Sequence, residues 1–318
     1  MEVDEMKAKS VDCKFTSSDL VQRFHEGLIL RDVSYNIDYI YRAKEFCAFL
    51  EARGSSPIEV TTEDLESFLV HLKKRDLKST TLDRIFTCLS AFYEFLVMKK
   101  IVEYNPILPF RKYYLSRYKK NSDSEIRKLI SVEDAARLVN SILDSRDKCI
   151  LVLLFKTGMR VGELVSLDVN DVDLSKGEIT LKHTKKRSNR VLYIDNEALA
   201  VLSRWIAARM SRPGSDKNAL FITKYGDRIS TKSVGKLTRK HAARVGLHDA
   251  NSSRLEDKFT PHCCRHWFVT HLIRSGMSRD FVKELRGDVR REAIDVYNHI
   301  DRKELRESYL AHIPQLGV

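Results

Sequence analysis

Within Thr260–His271, which reads T-P-H-C-C-R-H-W-F-V-T-H, His262 and Arg265 stand three residues apart just after Pro261. Proline is tolerated in the first turn of a helix, so this stretch predicts a helix opening. Positions i and i+3 share a helix face, so the imidazole and the guanidinium point the same way. They do so at a helix start, where unpaired N–H groups already favour an anion. The pair could hold a phosphate, or it could be an incidental basic pair on an exposed helix end. What decides is whether other parts of the chain supply the rest of such a site. One of them is T-G-M-R-V-G-E-L, a short helix with Arg160 at its start and Glu163 one turn on. Another is a basic turn, T-K-K-R-S-N, between two β-rich segments, Glu178–His183 and Arg190–Asp195. Together these form a hairpin carrying Lys182, Lys185, Lys186, Arg187 and Arg190.

The elements that must position these groups are mostly helices. From Phe15 to about Leu115 the pattern is helical throughout. One helix carries Ile37, Ile40, Tyr41, Ala43, Cys47 and Leu50 and stops at Gly54. A second starts near Thr61 and shows Leu65, Phe68, Leu69 and Leu72 at i, i+3, i+4, i+7 spacing. A third has Thr80 and Asp83 spaced as a capping box, and Asn105-Pro106 ends the unit. The second unit opens with a helix over Val132–Leu143 behind Ser131, then the strongly apolar Cys149–Phe155, broken at Thr157-Gly158. Helices follow over 196–210, 231–245, 261–276 and 279–286, and a short one carries Ile294, Tyr297 and Ile300. The expected fold is mainly α: an N-terminal helical bundle, then a mostly helical domain with a small antiparallel β-sheet. The expected organisation is a flexible tail over 1–14, a bundle over 15–115, a basic linker over 116–128 and a second domain over 129–318.

Composition narrows the function. A chain of 318 residues is long enough for two cores, and 43% hydrophobic content suits an ordered protein. A net charge of +12 and a pI near 9.3 suit a polyanionic partner, nucleic acid first. No apolar run reaches membrane-spanning length, and the polar N-terminus has no secretory core, so a cytoplasmic protein is expected. Six scattered cysteines (13, 47, 88, 149, 263 and 264) suit buried, reduced thiols. Cys263 and Cys264 beside His262 and His266 have the residue types of a zinc site, but neighbours on one helix cannot converge on one tetrahedral ion.

The order Arg160, basic hairpin, His262-x-x-Arg265, Gly287, Tyr297 resembles the tyrosine recombinase (phage integrase) family over nearly the whole chain. The R-G-D…E-A-I-D-V-Y-N-H-I-D ending is similar to integrases of archaeal viruses and plasmids. The resemblance implies a core-binding domain over 15–115 and a catalytic domain over 129–318, joined as a C-shaped clamp on DNA. It implies that Tyr297 attacks a DNA phosphodiester, leaving a 3′-phosphotyrosyl enzyme and a free 5′-hydroxyl. A phenol with a pKa of about 10 needs an electropositive site to react near neutrality. Arg160 and Arg265 match the family's phosphate-binding arginines, whose forked donors suit a charged phosphorane. His262 matches its histidine, donating to the phosphate or taking the proton of the nucleophile. Aligning the hairpin on the family pattern selects Lys185 as the acid for the departing 5′-oxygen, with Lys182 and Lys186 as alternatives because hairpin length varies. Glu163 matches an acidic residue that orients its neighbours. No metal or other cofactor is implied.

The departure is Asp288, where the family has histidine or tryptophan donating to the phosphate. An ionised aspartate only accepts. Three outcomes are open: Asp288 is protonated, it points away, or Arg286, Arg290 or Arg291 fills the gap, and the last is preferred. The resemblance further implies double-stranded attachment sites and a homotetramer on DNA. The tail stripe Leu305, Tyr309, Ile313 and Leu316 is either core in cis or a segment docked on a neighbouring protomer, and exchange between protomers is preferred. The expected activity is integration or excision of a mobile element. The alternatives are a chromosome-dimer-resolving recombinase and a non-catalytic DNA-binding protein of the same fold; the N-terminal bundle argues against a type IB topoisomerase.

Overall fold

In the computed structural model the residues described are 15–33, 36–115, 129–182, 191–212, 218–287 and 300–318. The chain divides into two compact units, residues 1–124 and 125–318. In the first, α1 (Ser17–Leu30) opens on a capping box between Thr16 and Asp19, and α3 (Thr62–Lys73) repeats it with Thr61 and Asp64. Each box satisfies two amides that the first helical turn would otherwise leave unpaired. α2 (Asn36–Glu51) and α4 (Ser79–Met98) complete a bundle whose centre is aromatic. Phe24, Phe46, Phe68, Phe86 and Phe92 are all fully buried there.

Three local expectations need correction. Ile37 and Tyr41 are 80% and 55% exposed. The inward stripe of α2 runs through Ala43, Phe46, Cys47 and Leu50, which leaves 37 and 41 on the opposite face. Thr80 and Asp83 form no capping box, because α4 already starts at Ser79 behind Lys78. Asp83 instead accepts from Arg111 Nη2 at 3.0 Å. Nor does Asn105-Pro106 end the unit: Pro106 opens α5 (Ile107–Phe110), and a wider π-helical turn over Arg111–Leu115 follows, burying Phe110 and Leu115 in the bundle.

The second unit is built around α7 (Ser145–Thr157), which follows α6 (Val132–Asn140). α6 stops three residues short of the expected Leu143, which is 97% exposed. Every residue of α7 from Cys149 to Thr157 is buried, and its ends are set by an Asp144 cap and a left-handed Gly158. α9 (Asn196–Met210) and α11 (Pro261–Arg274) pack along it. Between come α8 (Val161–Ser166) and an antiparallel sheet, β1 (Val172–Asp173), β2 (Glu178–Thr180) and β3 (Val191–Tyr193), in that spatial order. β1, two residues long, is too short to show an alternating pattern and was not expected. α10 (Thr231–Arg244), α12 (Arg279–Arg286) and α13 (Arg302–His312) complete the unit. The tail over 1–14, the linker over 116–128, the hairpin turn and the segment around Tyr297 lie outside the described residues.

In the single chain the C-terminal stripe packs in cis, against the core of its own unit. Leu305, Tyr309, Ile313 and Leu316 are at most 4% exposed and belong to the same core as α7. A buried ion cluster fastens them. Lys156, fully buried on α7, donates to Asp195 and Glu197, each at 2.6 Å, and to the Pro314 carbonyl at 2.7 Å. Glu197 in turn accepts the backbone N–H groups of Leu316, Gly317 and Val318. Burial alone would raise the Glu197 pKa, but donation from Lys156 and from the Leu316 and Gly317 amides outweighs it and holds the carboxyl below its ordinary range.

Candidate active site

Arg160 sits at the turn joining α7 to α8, as the N-cap of α8. Its extended backbone lets Glu163, one turn on, reach back to it. Glu163 Oε2 accepts the Arg160 amide at 2.7 Å, and Oε1 accepts Arg160 Nη1 at 3.1 Å. One carboxylate therefore caps the helix and steers the guanidinium. Glu163 is 9% exposed, while the Arg160 side chain is 40% exposed and so open to a ligand.

His262 and Arg265 lie in the first two turns of α11, with His262 exposed and Arg265 6% exposed. The helix start is held by sulfur: the Thr260 amide donates to Cys263 Sγ at 3.4 Å, and Cys263 donates to the Lys258 carbonyl at 3.6 Å. Cys264 faces the core, where burial pushes its thiol pKa well up. Arg265 Nη1 donates to the Gly158 carbonyl at 2.6 Å and Nη2 to the Arg286 carbonyl at 3.0 Å. Arg265 and Gly158 are 107 residues apart in sequence. This contact brings the second arginine to the turn that carries the first. It also brings in the end of α12, after which the chain leads through Gly287 to residues 288–299.

Of the remaining candidates, Lys185, Asp288, Arg290 and Tyr297 fall outside the described residues. Arg286 enters through its backbone carbonyl. Lys182, the alternative to Lys185 nearest the sheet, has its ammonium on Asp168 Oδ2 at 2.7 Å. Asp168 also takes Arg228 Nη2 at 2.5 Å, and Arg228 Nη1 reaches the Val165 and Leu167 carbonyls. Donation from Lys182 first, then from Arg228, holds the Asp168 carboxyl below its ordinary range. This cluster ties the foot of the hairpin to the end of α8. Sequence reasoning missed it, although the D-x-x-D spacing of Asp168 and Asp171 marked a cap there.

Charge around the site is positive. α10 packs on α8, burying Val234, Leu237 and His241 and exposing Lys232, Lys236, Arg239, Lys240 and Arg244. His241 Nε2 meets Asp147 Oδ2 on α7 at 2.9 Å, which fixes the inner face of this basic helix. Among the described residues no three His, Cys, Asp or Glu side chains group as metal ligands would. None of the described helices is long and apolar enough to cross a membrane.

Comparison with known proteins accounts for both units. The profile described as Phage integrase, N-terminal SAM-like domain matches residues 21–100, and that described as Phage integrase family matches residues 122–304. The chain is 31% identical over 271 residues to tyrosine recombinase XerC of Alcanivorax borkumensis, covering 82% of this chain and 83% of that protein. It is 28% identical over 300 residues to tyrosine recombinase XerA of Pyrococcus horikoshii, covering 93% and 94%. Among solved structures, the Tn1549 transposon integrase in complex with a circular intermediate DNA aligns over 90% of this chain and 97% of that chain, with a TM-score of 0.65. At 19% identity that likeness shows the fold. The chain belongs to the phage integrase family. It is a tyrosine recombinase, an enzyme of site-specific DNA cleavage and rejoining.

Proposed function

We propose that Tyr297 is the nucleophile of this recombinase and that Arg160, Arg265, His262 and Lys185 are its catalytic partners. The phenol oxygen of Tyr297 bonds to the scissile phosphorus while the bond from phosphorus to the 5′-oxygen breaks. The products are a 3′-phosphotyrosyl link and a 5′-hydroxyl. Lys185 supplies the proton of that hydroxyl, and His262 donates to the phosphate or accepts the proton of the phenol. Arg160 and Arg265 neutralise the phosphorane oxygens, and preorganised charge of this kind is usually the largest catalytic contribution. Glu163 orients Arg160. The observation that carries this reading is the Arg265 contact with Gly158, which draws both arginines to one turn. The basic outer face of α10 supports a double-stranded DNA partner tracked through its phosphates.

On this reading four protomers act on two duplexes to integrate or excise a mobile element in the cytoplasm. The relatives named XerC and XerA favour a second role, resolution of chromosome dimers, with the same chemistry. A nicked duplex carrying the sequence the protein selects from a random pool tests the chemistry. A covalent protein–DNA band that disappears in Tyr297→Phe is expected, and an equal band in that variant overturns the assignment. Sequencing the junctions formed in cells separates the roles: an element boundary marks an integrase, and a single chromosomal site a resolving enzyme.

A further inference from the structure

Arg265 is a cation with only 6% of its surface exposed, so its burial has to be offset by acceptors. Two of them are carbonyls at helix ends: Gly158, which closes α7, and Arg286, the last residue of α12. The last carbonyls of a helix lack intrahelical partners and carry its partial negative charge. The guanidinium thus lies where two helix C-termini converge. Both ends finish on a left-handed glycine, Gly158 at φ +58° and Gly287 at φ +67°.

We propose that Gly158 is a positioning residue for the reaction: its carbonyl sets the plane in which Arg265 meets the scissile phosphate, and glycine is required there to present it. This rests on the reading of Arg265 as a phosphate-binding group. Two features exclude a side chain at 158. Its positive φ is a conformation that L-residues rarely adopt. In addition, a Cβ at 158 would lie 2.3 Å from Phe268 Cδ1 and 2.7 Å from Cγ. Phe268 is 1% exposed, three residues beyond Arg265 on the same helix, with the Tyr309 ring behind it at 6.5 Å between centroids. The ring has little room to turn aside. Relieving the clash shifts either the carbonyl of residue 158 or the helix that carries Arg265. A guanidinium is a rigid planar fork, so a shift at one acceptor tilts every donor it offers.

The test uses the full chain in three forms: wild type, Gly158→Ala, and Gly158→Ala with Phe268→Ala, which removes the Cγ and Cδ1 atoms that the added methyl would meet. Thermal unfolding checks that each is folded. Nitrogen NMR of labelled arginine, with the Arg265 signals assigned by their loss in Arg265→Lys, reads guanidinium rotation without DNA. Separate Nη signals are expected in wild type and averaged ones in Gly158→Ala. Single-turnover cleavage of the selected nicked duplex should fall on the order of 100-fold in Gly158→Ala, with affinity for the same duplex within about twofold. The double variant should recover most of the lost rate. Separate Nη signals in Gly158→Ala, or wild-type cleavage by it, would overturn the proposal, as would a folded double variant no faster than the single one. If Tyr297→Phe forms as much covalent product as wild type, the assigned recombination chemistry fails instead, and the NMR result still decides the positioning role.

Discussion

Glu163 makes two bonds that matter differently. Capping α8 through the Arg160 amide is a stability role; steering Arg160 Nη1 is a chemical one. Glu163→Gln keeps one acceptor but loses the charge that strengthens the arginine contact. Cleavage is expected to fall 10-fold or more while stability drops by only about 1 kcal/mol. Rapid-quench cleavage together with urea unfolding of the same variant checks the split. The Asp288 position calls for a different comparison. Because Arg286 is engaged through its carbonyl, Arg286→Ala leaves the Arg265 contact in place and isolates the side chain. If a neighbouring arginine replaces the family's usual donor, one of Arg286→Ala, Arg290→Ala and Arg291→Ala cuts slowly and Asp288→His cuts at least as fast as wild type. Wild-type rates in all three alanine variants would remove the idea.

At the scale of elements, the Lys156 cluster joins α7, α9 and the last residues of the chain. Removing one member of a buried ion cluster strands the others, which costs about 3–5 kcal/mol. Lys156→Ala is expected to destabilise the second unit by that much in denaturant unfolding. Lys156→Met with both acids made neutral should cost much less. The carboxyls also make the unit sensitive to acid. For Asp147, burial opposes ionisation, but donation from His241 and Arg146 wins and its pKa is lowered. Glu197 is lowered too. A carboxyl with a depressed folded pKa adds stability above its unfolded pKa, about 3.9 for Asp and 4.3 for Glu, and that stability is lost as pH falls through the folded value. Unfolding free energy should therefore fall below about pH 4, and Glu197→Gln should flatten the slope. An unchanged slope in that variant would show that Glu197 does not contribute to it.

For the whole molecule, a net charge of +12 makes DNA affinity strongly dependent on salt. If the basic face of α10 and its neighbours neutralise 6–10 phosphates, affinity should fall about 10³–10⁵-fold between 50 and 200 mM salt. Charge reversal along Lys232, Lys236 and Lys240 should lower the slope of that dependence in a binding titration. The C-terminal tail acts at the same scale. Leu305 and Tyr309 are fully buried in the core that contains α7, so deleting residues 303–318 should destabilise the second unit as well as weaken assembly. Each large buried side chain lost costs about 2–5 kcal/mol. Calorimetry of the truncated chain decides, and a wild-type melting temperature would assign the tail to an interface role.

Much of this protein follows from residue order alone. Apolar spacing set the helices of both units, and 196–210 and 279–286 emerge with the expected limits, because hydrophobic periodicity and caps are local signals. The ordered string of Arg160, basic hairpin, His262, Arg265 and Tyr297 carries the family resemblance by itself. Local signals say nothing about which face turns inward or where a long side chain finds its charge partner. So the exposure of Ile37 and Tyr41, the diversion of Asp83 to Arg111 and the packing of the tail in the single chain were decided only by tertiary contacts. Lys156 at the end of an apolar helix was a legible anomaly, since a buried ammonium demands acids, but Asp195 and Glu197 could be chosen only in three dimensions. The same holds for Arg265. Its chemistry was written in its residue type, and its orientation came from two helix ends that the fold alone brings to it.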